Sequence, residues 1–419
     1  LWAHDTTSQL TWQVADIHEG YRDSDPGRGI HILVGDTIYF DAEDENDGTE
    51  LWAHNTLNHT TWQVANIQKG YGGPGWFGMN ILVDDTLYFS ANDGTVSGDG
   101  TELWAHDTSN HSTWQVADID VGDGSSYPGR YMTTLVGDTI YFDAEDENDG
   151  KELWAHDTSN HSTWQVADIH NNGSSYPGAY LNILVGDTIY FDARNNDEGR
   201  ELWAHDTSNH STWQVADINN SGGSNPGFRV PYTETVNTLV GDTLYFSADD
   251  GNDGIELWAH DTSNHSTWQV ADINNTGSSN PGAYMMVLVG DTIYFDANDG
   301  YSGIEFWAHD TSNHSTWKVA DIHEGYQDSD PGMNMYILVG DTIYFDADDG
   351  NDGTELWAHN SLNHSTWQMA DINGGAAGSH PLCVELCVLV DDTLYFSAHN
   401  EIDGRELWAI TIQHSISYD

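Results

Sequence analysis

Basic residues are scarce in this sequence. Lysine and arginine together number 10, against 68 aspartates and glutamates, so the formal net charge is -58. Nucleic acid and anionic membranes are bound through basic surfaces, and this composition argues against both as partners. Such an acidic chain also repels itself at low ionic strength, which indicates either a salty medium or bound cations that neutralise it.

Cysteines and long apolar runs are scarce as well. The two cysteines, Cys383 and Cys387, are too few for a disulfide scaffold. In an extended strand they would lie on one face about 13 Å apart, which favours two free buried thiols, although a bulge could close a small loop. No apolar run reaches the roughly 18 residues of a membrane span, so no membrane insertion is expected. The segment at Leu1 has the pattern of a repeat and not of a leader peptide.

Three sequence features recur along the chain. A tryptophan in a Leu-Trp or Phe-Trp step returns every 49 to 55 residues, a second tryptophan follows in a Thr-Trp step, and a segment of the type LVGDTIYFDA completes the unit. The units start near residues 1, 51, 103, 153, 202, 257, 306 and 356, with a closing strand and tail at 406–419. This periodicity predicts one repeating body over residues 1–419.

Each unit predicts four short strands and no helix. In one unit they are 181–185, 188–193, 201–206 and 212–218, rich in β-branched and aromatic residues and separated by turn residues. An antiparallel meander of this length is typical of a propeller blade, so we expect an all-β, eight-bladed β-propeller of four-stranded blades. A parallel solenoid is the alternative, but its coils are shorter and lack hairpin turns.

The two chain ends carry complementary strands. The N-terminal residues 1–17 have the third and fourth strands of a blade, and residues 387–398 have the first and second, so we expect the ends to share a blade that closes the ring. A ninth copy of the third strand, at 406–409, is left over. It could displace residues 1–5, add a fifth strand, or pair with another molecule.

The repeated Gly-x-Glu-Leu-Trp followed by Val-Ala-Asp-Ile resembles the ELWxxDGT repeat family of bacterial and archaeal surface proteins. The resemblance covers essentially the whole chain and implies secreted, propeller-type repeats with no catalytic residues. The sequence departs from the family pattern after the tryptophan, where it has Ala-His-Asp-Thr, as at His106 to Thr108. The chemistry of that turn is therefore not carried over.

Acidic turns follow the second strand of several units. Alternating carboxylates with a glycine suit Ca²⁺, which takes six to eight oxygen ligands. An ordinary solvated or salt-adapted turn explains the same composition, so both interpretations stay open. The candidate ligands are Asp44, Asn46, Asp47, Glu50, Asp146, Asn148, Asp149, Glu152, Asp249, Asp250, Asp253, Glu256, Asp348, Asp349, Asp352 and Glu355.

The loops that link successive units vary most in sequence and are expected on the same face as the acidic turns. Trp76 and Phe77, with Tyr21 and Tyr326 in two nearly identical loops, are the candidate ligand-binding residues. Trp76 could stack on a sugar ring; packing under its own loop or into the central channel is the alternative.

Asn-His-Ser/Thr sequons occupy the hairpins expected on the opposite face, and three more sequons lie in linking loops. Asn-His is also favourable turn chemistry, which would create sequons without any glycan. The candidate glycosylation sites are Asn58, Asn110, Asn160, Asn209, Asn264, Asn313, Asn363, Asn172, Asn219 and Asn274. Histidine pairs such as His106 and His111 bracket these hairpins, but two imidazoles make an incomplete zinc site.

The repetition of nearly every acid, histidine and tryptophan argues against a single catalytic pocket. We therefore expect a non-catalytic, cation-stabilised protein, extracellular or at the cell surface, that binds a glycan or a surface protein and serves as a scaffold. One alternative is a structural subunit of a filament, sheath or layer that self-associates through the ninth strand copy. A carbohydrate-active hydrolase or lyase is the other.

Overall fold

The computed structural model describes residues 1–5, 10–18, 22–45, 48–67, 78–92, 100–121, 124–228, 237–400 and 402–412. Within these ranges every regular element is a β-strand, so the expected all-β class is confirmed. No helix in the described part of the chain is long and apolar enough to cross a membrane. The chain divides into two compact units, Leu1–Gln214 and Val215–Asp419.

The strands that begin in the first unit are β1 (Trp2–Asp5), β2 (Leu10–Gln13), β3 (His31–Val34), β4 (Thr37–Asp44), β5 (Gly48–Asn55), β6 (Thr60–Ala65), β7 (Asn80–Val83), β8 (Thr86–Asn92), β9 (Thr101–Asp107), β10 (Ser112–Ala117), β11 (Thr133–Val136), β12 (Thr139–Asp146), β13 (Gly150–Asp157), β14 (Ser162–Ala167), β15 (Asn182–Val185), β16 (Thr188–Arg194), β17 (Arg200–Asp206) and β18 (Ser211–Ala216). Those of the second unit are β19 (Asn237–Val240), β20 (Thr243–Asp249), β21 (Ile255–Asp261), β22 (Ser266–Ala271), β23 (Met286–Val289), β24 (Thr292–Asn298), β25 (Ile304–Asp310), β26 (Ser315–Ala320), β27 (Tyr336–Val339), β28 (Thr342–Asp348), β29 (Thr354–Asn360), β30 (Ser365–Ala370), β31 (Leu382–Val390), β32 (Thr393–Asn400) and β33 (Gly404–Thr411).

The strands from β3 to β30 form seven four-stranded sheets, each with its strands in sequence order. Neighbouring strands in these sheets pair antiparallel in a register that recurs from sheet to sheet, as in Phe191 opposite Trp203 and Phe246 opposite Trp258. Repeated antiparallel meanders of this kind are consistent with a β-propeller, as the sequence predicts.

Local turn chemistry sets this register. In the hairpin between the first and second strands, Gly186 has a φ of 59°, and Asp84 and Asp391 adopt the same left-handed backbone at the equivalent position. In the hairpin between the third and fourth strands, the Asp206 carboxylate accepts hydrogen bonds from the backbone N–H groups of Ser208 and Asn209 at 2.8 and 3.3 Å. Short turns with fixed partners leave little freedom for a strand to slip.

The core lies between consecutive sheets. In β16, Tyr190 and Phe191 are adjacent and therefore point to opposite faces, and both are buried. Phe191 packs with Tyr141 and Leu153 of the preceding sheet in one apolar cluster. Within the first unit, the sheet β11–β14 packs Phe142 against Tyr88 of the sheet before it and Tyr141 against Phe191 of the sheet after it. Burial of both faces explains the near-continuous apolar run of the second strand.

The C-terminal sheet differs from the expectation. β31, β32 and β33 form a three-stranded sheet, and β1 and β2 form a separate two-stranded one. The ninth copy of the third strand, in β33, pairs with β32 in the usual register, Phe396 opposite Trp408. It follows β32 through a short turn, so the loop that must close is short and the local strand takes this position. The prediction that residues 1–17 supply the third strand of this sheet is therefore wrong.

The two cysteines also differ from the expectation, because they form a disulfide. The register of β31 against β32 shifts between Leu382 and Cys387, so the strand is not regularly extended there. This bulge brings the Cα atoms of Cys383 and Cys387 to 4.5 Å, within bridging range. The preference for free thiols assumed a regular strand and is wrong.

Candidate functional site

Each unit has a cleft between a sheet and the next hairpin along the chain, and these two clefts are equivalent in sequence. We call them the inter-blade clefts. The cleft in the second unit has a volume of about 390 Å³ and is lined by Tyr245, Asp261, Asn264, Ser266, Trp268 and His314, among others. The cleft in the first unit has a volume of about 290 Å³ and is lined by the equivalent Tyr88, Asp107, Asn110, Ser112, Trp114 and His161, with Asp84 in addition.

The aspartate of each inter-blade cleft is held by its own hairpin. Asp261 accepts hydrogen bonds from the N–H and hydroxyl of Ser263 at 2.9 and 2.6 Å, and from the N–H and side-chain amide of Asn264 at 3.2 and 2.6 Å. The hydrogen bond from the Ser263 side chain is the main cause that lowers the pKa of Asp261. The cleft therefore carries a fixed negative charge at its rim.

The tyrosine of each cleft is buried, and its ring packs at a tilt against a histidine of the next sheet. Tyr245 is 2% exposed, and its ring centroid lies 5.6 Å from that of His309. His309 is also buried, and its Nδ1 lies 2.9 Å from the Thr316 hydroxyl. Burial lowers the pKa of His309 to about 4, so this imidazole is neutral at physiological pH. Tyr88 and His156 repeat the arrangement at 5.3 Å.

The glutamates predicted as metal ligands bind the linking loops. Glu152, Glu256 and Glu355 are fully buried at the start of the third strands. Glu256 accepts hydrogen bonds from the N–H groups of Ile273 and Ser279 at 2.8 and 2.9 Å, and from the Ser279 hydroxyl at 2.6 Å. Glu50 is likewise buried and accepts from the Ile67 N–H. These carboxylates fasten each linking loop to the sheet before it.

The remaining predicted calcium ligands lie in or beside the acidic turns. Asp146 accepts from the N–H groups of Asn148 and Asp149, and Asp250 from those of Asn252 and Asp253. The carboxylates of Asp249, Asp348 and Asp349 likewise accept backbone N–H groups of their own turns. One of the donors to Asp349 is the N–H of Asp352. Asp44 is the last residue of β4. Asn46 and Asp47 lie outside the described residues. Among the residues with described positions, no group of three or more His, Cys, Asp or Glu is placed to hold a metal, and the calcium site stays a prediction.

The sequons stay predictions too, and their environments differ. Asn58, Asn110, Asn160, Asn209, Asn264, Asn313 and Asn363 lie in the hairpins between third and fourth strands. Of the linking-loop sequons, Asn172 is exposed, whereas Asn219 and Asn274 are 7% and 8% exposed. Of the predicted ligand-binding residues, Tyr326 is 83% exposed, and Tyr21, Trp76 and Phe77 lie outside the described residues.

Sequence reasoning missed a second set of buried carboxylates, in the Tyr-Phe-Asp-Ala segments. Asp143 is fully buried in β12; its carboxylate accepts from the N–H groups of Tyr131 and Met132, and it lies 3.4 Å from the Lys151 ammonium. Asp192 pairs in the same way with Arg200. An aspartate within an apolar second strand was the available signal, because a charge there must be buried and paired.

Comparison with known proteins gives structural likeness only. No family model and no curated protein matches the chain, so the resemblance to the ELWxxDGT repeat family stays a prediction. Similar solved structures include a puromycin hydrolase, at 12% identity, TM-score 0.40, and coverage of 92% of this chain and 61% of that chain. A structure from a study of two prolyl endopeptidases has 8% identity, TM-score 0.44, and coverage of 90% and 55%. Oligopeptidase B from Leishmania major has 11% identity, TM-score 0.43, and coverage of 90% and 53%.

The prediction of a non-catalytic binding and scaffolding protein, with its alternative as a structural subunit, is withdrawn, because the similar solved structures are named as a hydrolase and peptidases and do not fit it. At these identities and TM-scores the likeness assigns no activity to this chain. The prediction took repetition to exclude a reactive pocket, whereas each inter-blade cleft brings residues of two consecutive repeats together. This chain spans 53% to 61% of the length of the three solved structures.

Proposed function

We propose that this chain is a hydrolase built on an eight-bladed β-propeller, in which the inter-blade clefts hold the substrate. The seven four-stranded sheets and the sheet β31–β33 share one strand pattern, which supports the count of eight blades. Aromatic and polar side chains converge in the clefts, as is typical of small-ligand sites.

The observation that carries the proposal is the set of reactive residue types in each cleft. Ser266 and Asp261 come from one sheet and His314 from the hairpin of the next; Ser112, Asp107 and His161 repeat the set. Serine, histidine and aspartate are the residues by which many hydrolases activate a hydroxyl group. In the proposed step, the serine Oγ attacks the substrate carbonyl, and the histidine takes the hydroxyl proton and passes it to the leaving group. Water then releases the acyl group from the serine.

A serine-directed fluorophosphonate tests this proposal. The folded protein is expected to be labelled at Ser266 and Ser112, detected by peptide mass spectrometry, and to hydrolyse small activated esters. Ser266→Ala removes one labelled site and the part of the turnover that this cleft contributes. Thr262→Ala, in the same hairpin but outside the lining of both clefts, is the matched control and keeps the label at Ser266, because the Thr262 hydroxyl donates to the Asp242 carbonyl oxygen. Absence of both labelling and hydrolysis in the folded wild-type protein would refute the proposal.

A further inference from the structure

The inter-blade clefts combine aromatic surface with fixed negative charge. Trp268 is partly buried and lines the same cleft as Tyr245 and the Asp261 carboxylate. The cleft of the first unit adds a second carboxylate, Asp84, to Asp107, Trp114 and Tyr88. Aromatic faces attract cations, and a neighbouring carboxylate strengthens that attraction.

A buried tyrosine also lines each cleft. Tyr245 and Tyr88 are 2% and 3% exposed, yet both line a cleft. A ligand in the cleft can therefore reach the phenol, whose hydroxyl both donates and accepts hydrogen bonds.

We propose that the inter-blade clefts bind the cationic side chains of a basic peptide, with a guanidinium group placed between the tryptophan face and the aspartate rim. The planar guanidinium stacks on an aromatic ring and donates five hydrogen bonds, which suits a cleft lined by hydroxyl, amide and carboxylate oxygens. The net charge of -58 draws such a peptide toward the protein and repels an acidic one. This inference rests on the proposed hydrolase function, since it names the substrate class that the same clefts would hold.

The hairpin aspartate of the clefts recurs in five of the seven complete blades, and Asn55 and Asn360 stand at its position in the other two. Asn55 still caps its hairpin by accepting the N–H groups of Leu57 and Asn58. Asp→Asn at this position therefore removes the charge and keeps the turn.

The test is calorimetric titration with a short arginine-containing peptide and its citrulline counterpart, in which the guanidinium is replaced by a neutral urea group of the same shape. Molar NaCl screens long-range attraction to the acidic surface. Under that condition we expect the arginine peptide to bind about tenfold more tightly than the citrulline peptide. Asp261→Asn and Trp268→Ala should each weaken binding or remove one site. Asp253→Asn, an equal charge change at the other end of β21, is the matched control and should leave binding unchanged.

The outcomes separate this inference from the proposed function. Equal binding of the arginine and citrulline peptides, or equal effects of Asp261→Asn and Asp253→Asn, overturns the cation site whether or not the protein hydrolyses esters. Arginine-dependent binding that Asp261→Asn weakens, without any hydrolysis, supports the cation site and overturns the hydrolase. Spermine is the third ligand; binding of spermine as tight as that of the peptide would assign the clefts to free polyamines and overturn the peptide assignment.

Discussion

Glu152→Ala is expected to destabilise the protein by about 3 kcal/mol or more, because it leaves several buried donors without an acceptor. The Glu152 carboxylate accepts from the N–H groups of Ile169 and Ser175 at 2.8 and 3.0 Å, from the Ser175 hydroxyl at 2.7 Å, and from the His170 N–H at 3.3 Å. These donors all follow β14 and belong to the linking loop. Removal of the Glu152 carboxylate should therefore release this loop from the sheet. Urea unfolding followed by tryptophan fluorescence measures the loss of stability, and hydrogen exchange locates it.

Glu147→Ala is the matched control for this prediction. Glu147 lies in the acidic turn just before Glu152, carries the same charge, and is exposed, so its removal should change stability by no more than about 0.5 kcal/mol. Glu152→Gln keeps one acceptor oxygen but turns an amide group toward the remaining donors, and an intermediate loss is expected. Equal stability of the Glu147 and Glu152 variants would show that the linking loop does not depend on this carboxylate.

The position of Glu152 shows where sequence reasoning stopped. The strand pattern was predictable: strands expected at 181–185, 188–193, 201–206 and 212–218 are observed at Asn182–Val185, Thr188–Arg194, Arg200–Asp206 and Ser211–Ala216. Alternating apolar residues and short turns fix these elements locally. The acidic composition just before Glu152 suggested a metal ligand, whereas its partners are loop amides 17 to 23 residues later in the chain.

The inter-blade clefts were not predictable for a related reason. Ser266 and His314 are separated by most of a repeat, and they line one cleft because consecutive sheets pack face to face. The sequence placed both residues in equivalent hairpins but did not show which side of each hairpin faces the next. The disulfide was missed in the same way, because the bulge in β31 that brings Cys383 and Cys387 together depends on the register of the neighbouring strand.

The stability of the protein is expected to depend on pH through two sets of buried groups, histidines and glutamates, whose effects run in opposite directions as the pH changes. Burial lowers the pKa of six histidines to about 4, namely His106, His156, His205, His260, His309 and His359. Burial raises the pKa of four glutamates to about 7, namely Glu102, Glu152, Glu256 and Glu305. The histidine contribution is fully present above pH 6.5 and is lost as the pH falls through 4. The glutamate contribution is fully present below pH 4.5 and is lost as the pH rises through 7.

Between about pH 4.5 and 6.5 the two contributions to stability change in opposite directions. Each is therefore measured as the difference in the free energy of unfolding between wild type and a variant that lacks some of its groups. For His156→Gln with His205→Gln, the stability difference from wild type should shrink by about 3 kcal/mol per histidine as the pH falls from 7 to 4. For the double variant with Glu102→Gln and Glu256→Gln, the stability of wild type relative to the variant should rise as the pH falls from 7 to 4. The reason is that wild type gains stability when these carboxyl groups are protonated. Each comparison cancels the repulsion among exposed carboxylates, which both proteins share. Differences in the free energy of unfolding that stay constant with pH in both pairs would contradict the burial of these groups in their costly charged forms.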